Sequence, residues 1–376
     1  MANDPDYREI IDSVVHSTNG NSFGVKDMPS SALEGRLGEI CERRMKMFPL
    51  AYAWPALLTV ASTLIDTTQR ARSNLYCALV GEVHTGKSQA VEHATNILGC
   101  TEPILMKLFS GSAEQLIRKT EGARGGARLF APDELGHLFE KMRIERSSFS
   151  FVLNRAYYDD QFEVLMGKKE KALFNCRLSL LGGIVEEKFQ ELFDASATGG
   201  LYDRFIFGLC PTGFRYDYFP FEGEVENIDP CAVYVDRQVW EAKSMWLKAR
   251  PTFNPRVVEH AIRSAIVCAA FDGRKVLNVE GVLRCLEFAE YQHRIRAILK
   301  PNPGENQEAK IALRIIDYLE RSNGNEIAKR KLLKAINAYR LGPSNAERAL
   351  SVLHANGEIS IVRQGKNVFI KRIAEE

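Results

Sequence analysis

Eight residues, Gly81-Glu82-Val83-His84-Thr85-Gly86-Lys87-Ser88, constrain this chain more than any others. They fit G-x-x-x-x-G-K-[ST], the phosphate-binding P-loop. Gly81 and Gly86 permit torsions and a close approach that a Cβ would block. The loop N–H groups then point inward and cradle a β-phosphate. Lys87 reaches the β- and γ-oxygens, and the Ser88 hydroxyl ligates Mg²⁺. The flanks agree with the motif. Leu75-Tyr76-Cys77-Ala78-Leu79-Val80 reads as a buried strand. Residues 88–98 read as a helix with Ala90, Val91, Ala94 and Leu98 on one face, its N-terminus toward the phosphates.

A chain of 376 residues has room for two or three domains, and its 45% hydrophobic content suits a full core. The net charge of +2 carries no global polyanion signal, so any nucleic-acid surface is a local patch. The eight cysteines are scattered without a C-x-x-C pair, and the seven histidines form no metal-spaced cluster. This argues against zinc and disulfides and for a reducing, cytoplasmic setting. The acidic, polar start is no signal peptide. Residues 47–65 are uncharged and nearly long enough to span a bilayer. Pro49, Pro55, Thr59, Ser62 and Thr63 within them favour a buried core helix and no membrane association.

Along the chain, residues 1–30 read as a loose arm and 31–73 as a helical segment. Alternating strands and helices over 74–230 predict an α/β core with a parallel sheet. Residues 231–300 read as a helical lid and 301–305 as a linker. Residues 306–376 read as three helices and a two-stranded wing, a winged helix. In that tail Arg348, Arg363 and Lys366 are DNA-contact candidates, with Lys371 and Arg372 beside them. The alternative is a protein-docking module.

Leu129-Phe130-Ala131-Pro132 leads into Asp133-Glu134. After a P-loop, the first acid holds the Mg²⁺ shell and the second polarises the attacking water. Two apolar runs flank Gly167-Lys168-Lys169-Glu170-Lys171, a β-hairpin whose Lys168, Lys169 and Lys171 suit phosphates or a solvated turn. Arg204 follows the last core helix and precedes an apolar strand, placed to reach a neighbouring subunit's nucleotide. Asp203 beside it keeps a salt-bridging role open. Arg263, on an amphipathic helix of the lid, is a candidate γ-phosphate contact or a surface arginine.

With these parts in order the chain resembles AAA+ ATPases of the MCM-like kind, closest to the primase-associated helicase-like proteins of plasmids, phages and mobile elements. The resemblance rests on residues 81–88, 109–114, Pro132-Asp133-Glu134, 175–183 and 200–205. It implies a hexameric ring with ATP and Mg²⁺ at subunit interfaces, Arg204 acting in trans, and the 167–171 hairpin moving DNA through the pore. Any primase or initiator is a separate partner. One departure stands out. The place where the family carries a polar water-orienting residue reads Gly183-Ile184-Val185. The expected function is an ATP-dependent DNA translocase or helicase of a mobile element. Its rival is a non-unwinding DNA-binding switch ATPase that recruits a transposase, initiator or defence partner. A P-loop kinase is disfavoured, because no substrate-binding lid sequence is present and the tail would go unexplained.

Overall fold

A computed structural model of the chain describes residues 25–65, 72–107, 113–142, 148–166, 170–192, 200–249, 253–299, 307–322, 326–336, 343–355, 358–364 and 367–373. These form two compact units, one up to Leu192 together with Gly200–Leu299, the other from Gln307 onward.

In the first unit, helices α1 (Gly35–Arg44) and α2 (Leu50–Leu64) lead to strand β1 (Tyr76–Gly81), the P-loop and α3 (Lys87–Ile97). Then come β2 (Leu105–Met106), α4 (Ala113–Glu121), β3 (Ala127–Phe130), α5 (Leu135–Met142) and α6 (Phe149–Ala156). The antiparallel hairpin β4 (Gln161–Met166) and β5 (Glu170–Asn175) precedes β6 (Arg177–Val185), α7 (Glu186–Leu192) and β7 (Phe205–Leu209). The strands β2-β3-β6-β1-β7, in that order, make one parallel sheet. This is the expected α/β core. Every residue of β1 is buried, so the strand reads as an unbroken apolar run rather than an alternation.

The uncharged segment is α2, buried from Ala51 to Thr63. Its hydroxyls are satisfied close by: Thr59 donates to Pro55 O at 2.7 Å and Ser62 to Thr59 O at 2.6 Å. Pro55 has no N–H for the carbonyl of Ala51, and that oxygen lies against Gly208 of β7, where a Cβ would come within 2.2 Å of it. Among the described residues no helix is long and apolar enough to cross a membrane.

Residues 231–299 belong to the first unit together with the sheet. A short parallel pair, β8 (Tyr234–Val235) and β9 (Val276–Leu277), accompanies helices α8 (Arg237–Ala249), α9 (Pro255–Phe271) and α10 (Val279–Ile298). Asn254 caps α9 by accepting from Arg256 N at 2.9 Å, with Pro255 in the first turn. Gln292 of α10 binds the outer edge of β7 as a further strand would. Phe207 N donates to its Oε1, and its Nε2 donates to Phe207 O, both at 2.8 Å.

The second unit holds α11 (Gln307–Arg321), β10 (Ile327–Ala328), α12 (Lys329–Ala335), α13 (Pro343–Ala355), β11 (Ile359–Gln364) and β12 (Asn367–Arg372). The three helices and the hairpin are as expected. Strand β10 adds a third member to an antiparallel sheet in the order β10-β12-β11. Ile311, Ile315, Leu319, Leu332, Leu350 and Ile370 are the centre of its own apolar core.

Candidate functional site

The P-loop spans the carboxyl end of β1 and the start of α3. Gly86 caps the helix with φ +77°, a left-handed conformation that a Cβ disfavours. A Cβ there would also fall 2.7 Å from the ring of Tyr216. Gly81 is a glycine for a different reason, since a Cβ would lie 2.2 Å from Tyr52 Oη and 2.8 Å from Cys210 Cβ. The Tyr52 hydroxyl, carried by α2, bolts the loop in place. It donates to Val80 O at 2.9 Å and meets Thr85 Oγ1 at 3.2 Å. Thr85 in turn donates to Glu82 O at 2.9 Å.

Lys87 Nζ donates to Gly81 O at 2.8 Å and to Glu82 O. Burial holds its ammonium below the usual lysine pKa, while Cys210, Glu134 and Glu82 pull the other way. Its stem packs on Gly183 of β6, where a Cβ would come 2.9 Å from Lys87 Cβ. The missing side chain at 183 therefore makes room for the loop lysine. The loop residues Glu82, Val83 and His84 are exposed, and His84 has φ 62°.

Strand β6 stands between β1 and β3, with Leu79 opposite Gly183 and Phe130 opposite Leu180. Asp133 and Glu134 follow the end of β3, two strands from the P-loop, about 10 Å at ordinary strand spacing. Ser88, Asp133 and Gly183 line one cleft of about 230 Å³, together with Glu92, Lys107 and Pro132. A hydroxyl and a carboxylate facing the same cleft suit Mg²⁺, which keeps several waters and takes only one or two protein ligands plus phosphate. Among the described residues no group of three His, Cys, Asp or Glu could form a metal cage. Glu134 is half-buried, 3.4 Å from Lys188 Nζ on α7 and 3.9 Å from His137 Nε2.

Arg204 sits at the other end of the sheet. Phe205 pairs with Tyr76, the first residue of β1, whereas the P-loop follows its last. Parallel strands thus hold Arg204 away from its own loop by about five residues of strand, or roughly 17 Å. Its Nη1 donates to Gly200 O at 2.7 Å and its guanidinium lies 5.3 Å from the Tyr158 ring centre. The neighbouring Asp203 does not pair with it. Asp203 instead accepts from Asn254 at 2.7 Å and lies 3.6 Å from Arg296.

Arg263, expected as a γ-phosphate contact or a surface arginine, is not on the surface. It is buried, with 3% exposure, and donates to Asn74 O at 2.6 Å and Asn74 Oδ1 at 2.9 Å. It also pairs with Glu259 at 2.8 Å and stacks 3.8 Å from the Tyr157 ring centre. Asn74 precedes β1, so Arg263 ties α9 to the sheet end opposite its own P-loop. Amphipathic spacing identifies the helix but not the end of the sheet against which it packs.

No family model matches this chain, and no curated protein does.

The nucleic-acid candidates divide differently. The β4–β5 hairpin forms as expected, but Lys168 and Lys169 lie outside the described residues. Lys171 is exposed and pairs across the hairpin with Glu163 at 2.9 Å. In the second unit Arg348 is exposed on α13. Arg363 belongs to β11, its side chain outside the description, as is Lys366 altogether. Arg372 pairs with Glu320 at 2.9 Å. Four site residues escaped sequence reasoning: Tyr52, Tyr158, Lys188 and Tyr216. Each acts through a partner far away in the chain, so no local spacing announces it.

Proposed function

We propose that this chain is an AAA+ ATPase acting as a DNA translocase or helicase of a mobile element, working as a ring with ATP at subunit interfaces. The observation that carries the reading is the division of the site between the two ends of one sheet. Lys87, Ser88 and Asp133 gather at the carboxyl ends of the strands, and Arg204 stands at the amino end of β7 without a carboxylate partner among the described residues. A site so divided works when one subunit's loop meets the next subunit's arginine.

In this reading Lys87 and the loop N–H groups hold the phosphates, and Mg²⁺, when bound, neutralises developing charge on them. Ser88 and Asp133, which line one cleft, would hold the metal. Glu134, about 10 Å from the loop across β6, orients and deprotonates the attacking water. Arg204 of the neighbour stabilises the transferring γ-phosphoryl group. Gly183 offers no side chain to that water, so its positioning falls to Glu134. The β4–β5 hairpin and the tail, whose α-β-α-α-β-β order supports a winged helix, take the motion to DNA.

The switch reading retains one specific support. Lys171 is offset by Glu163, which lowers the net positive charge that the hairpin offers to phosphates. ATP turnover with and without single-stranded DNA, run beside particle-size measurement in ATP, separates the two. The translocase reading expects particles of about six subunits, DNA-stimulated turnover, and loss of the stimulation on replacing Lys168, Lys169 and Lys171. A turnover indifferent to DNA and to those lysines overturns it in favour of the switch. Turnover that survives Lys87→Ala overturns the ATPase reading altogether.

A further inference from the structure

Tyr158 closes the turn after α6 and stands three residues before β4, at the root of the hairpin. Its N–H donates to Arg155 O at 2.9 Å, which fixes the turn. The ring is half-buried, and three guanidinium groups gather around it. Arg256 lies 5.1 Å from its centre, Arg204 5.3 Å and Arg263 5.7 Å. The hydroxyl donates to Glu259 Oε2 at 3.3 Å. Glu259 also receives Arg256 at 2.7 Å and Arg263 at 2.8 Å. That carboxylate is therefore shared by the two α9 arginines and does not reach Arg204.

The electrostatics assign the parts distinct tasks. Glu259 offsets one of the two charges of the α9 arginines, and Asp203 is held by Asn254 and Arg296. Arg204 keeps its charge beside a ring face and one backbone carbonyl, that of Gly200. A π-face attracts a cation without cancelling its charge, so the guanidinium stays competent to meet an anion. An ion pair in that place would orient the group but weaken its pull on phosphate.

We propose that Tyr158 is the positioning residue of Arg204 and links it to the root of the β4–β5 hairpin. The hairpin continues directly from this turn. Arg155 and Asp160 anchor the same stretch, with Arg155 stacked 4.8 Å from the Phe162 ring of β4 and Asp160 paired to Arg72 at 2.8 Å. A displacement of the hairpin root moves the ring on which Arg204 rests. The proposal deepens the reading of Arg204 as the arginine that acts on a neighbour's nucleotide, and rests on it.

The test is steady-state ATP turnover of the full chain for Tyr158→Phe, Tyr158→Leu and Arg204→Ala, with binding of a non-hydrolysable ATP analogue measured alongside. Tyr158→Leu removes the π-face, and kcat is expected to fall about tenfold while KM and analogue affinity stay within about twofold. Tyr158→Phe keeps the face and loses only the hydroxyl contact, so its kcat stays within about twofold of the original chain. If Tyr158→Leu turns over normally while Arg204→Ala is dead, the positioning role is overturned and the trans arginine stands. Equal losses from Phe and Leu overturn it as well, as does a Leu variant with lost analogue affinity. Normal turnover by Arg204→Ala overturns the underlying reading instead.

Discussion

The guanidinium of Arg204 rests 5.3 Å from the centre of the Tyr158 ring, while Asp203, its neighbour in the chain, turns to Asn254 at 2.7 Å. The adjacent acid and base thus do not neutralise each other. Arg204 is left charged at the amino end of β7, away from the loop that its own β1 carries. On the function proposed above, that separation keeps the arginine from its own subunit's loop and leaves it for a neighbour's.

Mixing follows from this geometry. Arg204→Ala is expected to bind an ATP analogue within about twofold of the original chain and to lose turnover by about a thousandfold. Added to the original protein before assembly, it should depress turnover more than its mole fraction, because each variant subunit disables a neighbour's site. A strictly proportional decline in the mixing curve refutes action in trans.

Gly183→Ala tests why this position is apolar and small. Its Cβ would sit 2.9 Å from Lys87 Cβ, so the lysine stem or β6 must move. Overpacking of this kind costs about 1–3 kcal/mol. We expect lower nucleotide affinity by calorimetric titration together with a lower melting temperature. Unchanged values for both would show that the loop yields freely.

Tyr52→Phe removes a hydroxyl from a buried place. Val80 O and Thr85 Oγ1 each lose a partner, at a cost of about 1–3 kcal/mol. Urea unfolding should show the loss as an earlier midpoint with an unchanged slope. Nucleotide affinity should fall as well, since Thr85 lies within the P-loop.

Glu134 and Lys188 separate catalysis from stability. The two side chains are 29% and 38% exposed, and a pair so solvated contributes about 0–1 kcal/mol. Lys188→Ala should therefore leave the melting temperature nearly unchanged. Glu134→Gln should keep analogue binding and lose turnover by about a hundredfold or more. A fully active Glu134→Gln protein removes Glu134 from the chemistry.

His260 is fully buried on α9, and burial first, then Arg296, Arg263 and Arg256, hold it well below the usual histidine pKa. The folded state keeps the ring neutral where the unfolded chain takes up a proton. The unfolded state then binds more protons below the unfolded value, 6.5, so stability is present above that pH and lost below it. The slope for one such group approaches about 1.4 kcal/mol per pH unit. Melting scans from pH 7.5 to 5.5, near enough to bracket about one unit either side of the unfolded value, should show the decline in the original chain. His260→Gln should show a flatter one.

Much of the fold was legible in order along the chain. Strand β1, helix α3, the β4–β5 hairpin, β6 and the three tail helices all fall within a few residues of where periodicity and turn residues put them. These signals are local. The short β10 was not legible, because two residues carry no period and are a strand only through pairing with Phe369 and Ile370 of β12. The packing of residues 231–299 was not legible for a related reason. Gln292 of α10 binds Phe207 of β7 across 85 residues of chain, and no local period announces that pairing.

The sequence by itself determined the G-x-x-x-x-G-K-S run with its flanking strand and helix, most of the longer elements, and the presence of an Asp-Glu pair, since each depends on residues that are neighbours in the chain. Only the tertiary structure decided which of these residues share a place. It brought Ser88 and Asp133 to one cleft and set Gly183 beneath Lys87. It withdrew Arg263 to Asn74 and rested Arg204 on Tyr158. Burial and charge pairing across long chain separations are settled by how strands align and helices pack, and a parallel sheet puts its two ends out of reach of each other. Which end of the sheet an arginine falls on is therefore invisible to its neighbours in the chain.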